Sequence, residues 1–179
     1  MKKLSGLFVL VCLIVVLGAC GKKEVQPAEI DEATAKCEIC NMAVADNQFA
    51  TQIVLKGGKS LMFDDIGCMH KWLDENKDKE IDGEFVRDYD DKEWIPVDKA
   101  SYVYDKSVKT PMAYNVVSFK DKSKAENFAS KHEGSKFMSG DELKDFKWEM
   151  NKDMMEGDHG DHAHDEENAH DNGHKEDPK

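Results

Sequence analysis

Two stretches of this chain carry one pattern 56 positions apart. Phe63-Asp64-Asp65 stands over Phe119-Lys120-Asp121, and the same offset sets Met69 on Ala125, Trp72 on Phe128 and Leu73 on Ala129. The matched positions are apolar or small and recur at helical spacing, the stripe by which a helix packs on a neighbouring layer. Asp65 and Asp121 precede the stripes, where a carboxylate can accept from the free N–H groups of a first helical turn. The pattern predicts an internal duplication, two similar units in tandem.

Strands flank each predicted helix. Residues 49–55 read as a strand, Gly57-Gly58 as a hairpin turn and residues 60–63 as the returning strand. A helix follows from Asp64 or Asp65 to about Asn76, and Glu84 to Tyr89 forms a third strand. The second copy repeats the order. Residues 101–104 and 115–119 are strands joined by a loop holding Thr110-Pro111-Met112. A helix runs from Asp121 to near His132, then a short strand over 136–138 and a helical turn within 141–148. The predicted class is α+β, two β-β-α-β units over about residues 37–92 and 93–150 within one domain of residues 37–150. The duplication also places single residues. Cys68 falls on Lys124, so it should face outward or toward a neighbouring element, and His70 falls on Glu126, at the surface.

Three soft donors sit within six residues, Cys37-Glu38-Ile39-Cys40-Asn41-Met42. Thiolate and thioether sulfurs together favour a soft ion, with Cu(I) foremost. A Cys-x-x-Cys pair by itself suits thiol–disulfide exchange or zinc equally, and Met42 moves the balance toward copper. On an extended segment Cys40 and Met42 would share a face. Two other classes stay open. Cys37 and Cys40 could form a redox pair, although no thioredoxin-like β-α-β context surrounds them. A zinc-binding or zinc-scavenging lipoprotein driven by the histidine-rich C-terminal tail is the other, in which zinc would take four ligands such as Cys37, Cys40 and histidines. A hydrolase has little support: no Ser-His-Asp order stands out and there is no His-Glu-x-x-His.

The two ends differ from the middle. Met1-Lys2-Lys3, the apolar run Leu7 to Leu17 and the small pair Gly18-Ala19 before Cys20 describe a secretory signal peptide over 1–19. Leu17-Gly18-Ala19-Cys20 is a lipobox pattern in which Cys20 carries the lipid and becomes the new N-terminus. The expected location is a cell membrane, with the protein lipid-anchored and facing outside the cytoplasm. Cys12 then leaves with the signal, and Cys37, Cys40 and Cys68 remain, an odd set that an oxidising compartment leaves to a disulfide plus one thiol or to a metal. Residues 20–36 are expected to be a flexible tether with few large apolar side chains.

Residues 151–179 hold ten acidic residues against three lysines, and five histidines: His159, His162, His164, His170 and His174. Such a segment is expected to be disordered and to serve as a secondary, exchangeable metal collector, with Met150, Met154 and Met155 at its root. The whole chain has a formal net charge of −12 and no basic patch, which excludes a nucleic-acid partner.

Taken in order, the lipobox, Cys37-Glu38-Ile39-Cys40-Asn41-Met42 and Phe63-Asp64-Asp65-Ile66-Gly67-Cys68-Met69 resemble the NosL family of copper lipoproteins associated with nitrous oxide reductase. Trp94-Ile95-Pro96, Ala100-Ser101-Tyr102-Val103 and Thr110-Pro111-Met112-Ala113 extend the likeness, which spans about residues 37–143. The resemblance implies two β-β-α-β units and a carrier, not an enzyme. It also implies Cu(I) carriage outside the cytoplasm and delivery to apo-nitrous oxide reductase or another extracytoplasmic copper enzyme. The family's Cys-x-Met pattern maps onto Cys40 and Met42, and its loop methionine looks like Met112. Cys37 and Cys68 are further candidate ligands.

Overall fold

The computed structural model of the protein describes residues 25–156. The expected signal peptide, Cys20 and all five tail histidines lie outside the described residues.

Two antiparallel sheets carry the fold. The first is built from β1 (Thr51–Leu55), β2 (Ser60–Phe63), β3 (Ile81–Arg87) and β4 (Trp94–Pro96) in the order β2-β1-β3-β4. The second uses β5 (Ser101–Tyr104), β6 (Val116–Phe119) and β7 (Lys136–Ser139) in the order β6-β5-β7. Helix α1 (Ile66–Glu75) follows β2, and α2 (Lys122–Lys131) follows β6. Short helices α3 (Gly140–Lys144) and α4 (Lys152–Glu156) come after β7.

The duplication is visible strand by strand. In each sheet the first strand is central, flanked by the second strand and the strand after the helix. β2 and β6, like α1 and α2, have equal lengths and start 56 residues apart. Both helices open on the expected cap: Asp65 accepts from the Gly67 N–H and Asp121 from the Ser123 N–H. The fold is the predicted α+β class.

Two boundaries differ from expectation. Trp94–Pro96 pairs with β3, Phe85 opposite Pro96 and Val86 opposite Ile95, so the first unit extends past residue 93. A three-residue edge strand ending in Pro leaves little periodic signal, and proline is tolerated there because its missing N–H faces no partner. The segment 20–36 is also not a free tether over its described part. The Ala28 N–H donates to Gln52 Oε1 at 2.7 Å, and Gln52 Nε2 donates back to the Ala28 carbonyl at 3.0 Å. Lys36 bridges Ala43 in antiparallel fashion. The segment docks through backbone groups and one buried glutamine, which apolar patterning does not reveal.

The units differ at one loop. β1 and β2 are joined by the tight Gly57-Gly58 turn, whose glycines take positive φ of 96° and 88°. The corresponding connection from β5 to β6 runs over residues 105–115. This longer loop crosses to the first unit.

The main core lies between the sheets, with Ile53, Phe63, Met69 and Val86 meeting Tyr102, Val116, Met138 and Leu143. A second cluster of Val103, Val117, Phe119 and Ala125 sits under α2. Adjacent residues of β5 and β6 thus point into different cores, which is why β6 is buried at all four positions. The sheets are also tied at Asp88, which is fully buried. It accepts from the Lys120 N–H at 2.7 Å, while Ser118 Oγ donates to the Arg87 carbonyl at 2.6 Å.

His70 departs from its expected place at the surface. Its ring stacks on Trp148, with centroids 4.3 Å apart, and burial lowers its pKa to about 4. Among the described residues no helix is long and apolar enough to cross a membrane.

Candidate metal centre

Two local structures build the site. The first is the segment Cys37–Met42. It was expected to be extended and instead forms a tight turn. The Asn41 N–H donates to the Cys37 carbonyl at 2.9 Å, the Cys37 N–H donates to the Met42 carbonyl at 2.9 Å, and Asn41 takes a left-handed φ of 61°. Asparagine is among the few non-glycine residues that visit this region readily. The Glu38 N–H donates to the Met62 carbonyl at 3.1 Å and pins the turn to β2.

The second is the start of α1. Asp65 is consumed as the cap, so its neighbour Asp64 is free to point elsewhere. Cys68 lies one turn on from Asp64, on the same side of the helix start. The turn and the helix start bring Cys37, Cys40, Asp64 and Cys68 together, one donor atom from each lying within 4.8 Å of all the others. All three thiols are free. Cys40 Sγ donates to Asp64 Oδ2 at 3.2 Å. Asp64 Oδ1 is buried and has no hydrogen-bond partner. Cys37, Cys68 and Asp64 are 2%, 1% and 4% exposed, whereas Cys40 is half-buried, so Cys40 is the thiol nearest water.

Four acidic groups share one desolvated pocket, and their proton affinities split. The hydrogen bond from Cys68 favours the Cys37 thiolate and lowers its pKa. The same bond, with burial, raises that of Cys68. Burial pushes Cys40 up to about 12 and Asp64 up to about 6, the latter also through Cys37. Acidic groups packed this closely cannot all ionise together. A metal ion replaces protons in such a site, and its binding releases them. Three sulfurs suit a soft, thiophilic ion.

Two methionines, Met42 and Met112, are the other predicted donors among the described residues. Met42 ends the turn and is 49% exposed. Met112 is half-buried against the main core, on the long loop between β5 and β6. That loop is fastened to the site's own helix cap: Thr110 Oγ1 donates to Asp65 Oδ2 at 2.6 Å, and the Met112 N–H to the same oxygen at 3.0 Å. Burial raises the Asp65 carboxyl pKa. The Tyr114 ring covers Gly67, where a Cβ would stand 2.1 Å from ring carbons, so only glycine leaves room.

Asp64 is the member that sequence reasoning missed. The signal was present in the duplication, which sets Asp64 on Lys120 and Cys68 on Lys124. In the second unit those lysines make ion pairs, Lys120 with Asp91 and Glu93, and Lys124 with Asp90. The same pair of positions carries acidic donors in one unit and surface cations in the other. Cys68 does face a neighbouring element, as its register implied.

The family model described as NosL matches residues 27–148. A crystal structure of the copper chaperone NosL from Shewanella denitrificans is similar to this chain, with a TM-score of 0.56 and 22% identity. The match covers 66% of this chain and 95% of that one. No curated protein matches the chain.

Proposed function

The chain belongs to the NosL family, and from that membership we propose that it is a Cu(I) carrier that loads an extracytoplasmic copper enzyme, with apo-nitrous oxide reductase as the recipient. The observation that carries the reading is the cluster of Cys37, Cys40 and Cys68 beside Asp64. The shared fold with NosL from Shewanella denitrificans, a copper chaperone, supports it.

Copper is the cargo here, and the donor set suits it. Thiolates hold Cu(I) tightly at low coordination number, which leaves room for a ligand from the recipient. Cys40, half-buried at the edge of the cluster, is the sulfur an incoming ligand reaches first, with the exposed Met42 beside it in sequence. Cys37 and Cys68, both buried, retain the ion until exchange is complete. Lipidation at Cys20 would hold the carrier at the membrane and raise its effective concentration for a recipient there.

Competition titration against a chromogenic Cu(I) chelator tests this. Reduced wild type takes one equivalent tightly, and Cys40→Ser weakens it by about two orders of magnitude or more, the scale of losing a principal ligand. An unchanged affinity removes Cys40 from the site. A second reading, zinc carriage, rests on Asp64, because three thiols and a carboxylate also make four ligands for a tetrahedral ion. The same titration with Zn(II) separates the two. A thiol–disulfide oxidoreductase is disfavoured. Cys37 is buried, and the Cys37–Cys40 pair lies in a turn and not at a helix N-terminus.

A further inference from the structure

The three thiols that converge at the start of α1 are also close enough to bond to one another. Their sulfurs lie within 4.8 Å of each other, and all three are free. An S–S bond is about 2.05 Å long, so any pair has less than about 3 Å to close. Access separates them. Cys40 is half-buried, whereas Cys37 and Cys68 are 2% and 1% exposed, so an oxidant in solution meets Cys40 first. The backbone decides its partner. Cys37 and Cys40 share one turn, closed by the Asn41 N–H donating to the Cys37 carbonyl and the Cys37 N–H donating to the Met42 carbonyl. Residues three apart in a turn of this kind are neighbours on one face, with about 5–6 Å between Cβ atoms. A side-chain rotation and a slight tightening of the turn bring them to disulfide geometry, about 4 Å. Cys68 belongs to α1, whose start is fastened through Asp65 to the 110–115 loop, and drawing it outward works against that clasp.

We propose that Cys37 and Cys40 form a reversible disulfide that locks the site, so that the chain captures its ion only in the reduced state. The lock rests on the carrier function proposed above and adds its control. The oxidant is a disulfide, either a small one such as oxidised glutathione or one carried by a protein. Cys40 gives up its proton, its sulfur attacks one sulfur of the oxidant, and a first thiolate leaves. Cys37 then gives up its proton and attacks the Cys40 sulfur, and a second thiolate leaves. The two leaving thiolates take up the two protons. One Cys37–Cys40 bond has formed, the oxidant's bond has broken, and two electrons have passed from the chain to the oxidant.

The bond removes two of the three sulfurs from the donor set and leaves Cys68 with Asp64. One thiol and one carboxylate hold a soft ion poorly. Conversely, an ion bound by the cluster occupies the same sulfurs and protects them. Ion and disulfide therefore exclude each other at one place, and the odd number of thiols serves both states.

The test is peptide mapping of the full chain. Trypsin leaves Cys37 and Cys40 together in residues 37–56 and Cys68 in residues 60–71. The reduced protein is incubated with oxidised glutathione, alkylated with N-ethylmaleimide and digested without reductant. Peptide 37–56 should be lighter by two hydrogens and carry no alkyl group, while peptide 60–71 should be alkylated. The Cu(I) affinity of this oxidised protein should be lower by about a hundredfold or more and should return on reduction. Protein loaded beforehand with Ag(I), a redox-inert soft ion, should show no loss of hydrogens from peptide 37–56. The lock is overturned if both peptides are alkylated or carry only glutathione, or if peptide 37–56 is joined to 60–71. It is equally overturned if silver gives no protection, or if the oxidised protein binds Cu(I) as the reduced one does. Reduced protein that takes up no Cu(I) defeats the carrier reading instead, with the mapped peptides still reporting on the bond.

Discussion

Asp65 and Asp121 occupy equivalent positions and do unequal work, so each is a control for the other. Both cap a helix. Asp121 is exposed, and its side chain accepts from the Ser123 N–H and hydroxyl. Asp65 is 1% exposed and accepts from the Gly67 N–H at 3.0 Å, the Thr110 hydroxyl at 2.6 Å and the Met112 N–H at 3.0 Å. Asp65→Ala removes a cap worth about 1 kcal/mol. It also leaves two donors from the crossing loop without an acceptor, each at about 1–3 kcal/mol when buried. Thr110 can rotate its hydroxyl elsewhere and the Met112 N–H is only partly buried, so the lower end of that range applies to each. The expected total is about 3–4 kcal/mol. Asp121→Ala loses an exposed cap alone and should be much milder. Urea unfolding followed by tryptophan fluorescence measures both, provided the slope against denaturant is unchanged. The reasoning is refuted if Asp65→Ala costs no more than Asp121→Ala, because the contacts across the two units would then contribute nothing.

Two further outcomes follow from packing and charge. Gly67→Ala should destabilise by about 2–3 kcal/mol by driving Tyr114 off α1. In a Tyr114→Ala background the same change should be neutral or stabilising by up to about 1 kcal/mol, since Ala is the better helix former, and thermal melts of the four proteins decide it. Asp105 is 3% exposed. Burial opposes its charge, but hydrogen bonds from Ser107 and contact with His132 outweigh that and hold its pKa at about 2. A carboxyl lowered in the folded state stabilises fully above its unfolded value and loses that contribution as pH falls through the folded one. Wild type should therefore lose up to about 2 kcal/mol from this group between pH 4 and pH 2. Asp105→Asn keeps the Oδ1 acceptor for Ser107 and should show a shallower acid limb in urea melts taken across that range.

The scaffold was legible in the sequence wherever it was locally determined. Asp65 and Asp121 mark helix starts by their own chemistry, and Gly57-Gly58 marks its turn because the chain there needs positive φ. The repeat carried the topology, since β2 and β6 keep their offset to the residue. What escaped was decided by distant partners. Trp94–Pro96 is a strand only because β3 lies beside it. Ala28 is held by Gln52, 24 residues away. Asp64 and Asp65 are adjacent and chemically identical, and nothing local says that one caps while the other turns to the thiols. Cys37, Cys40 and Cys68 were each nameable as metal donors, but their convergence depends on the turn at Asn41 being pinned to β2. His70 was assigned to the surface because its counterpart is Glu126, and Trp148, which has no role in the repeat, covers it.

The long β5–β6 connection gives the molecule an asymmetry with a practical consequence. One half contributes the thiols, and the other half supplies the clasp that holds the helix bearing Cys68. Neither half is a self-sufficient module: cutting the chain between them would separate the thiol cluster from its own fastening. Engineering a minimal copper carrier from this scaffold therefore requires both halves, even though every cysteine of the pocket comes from the first.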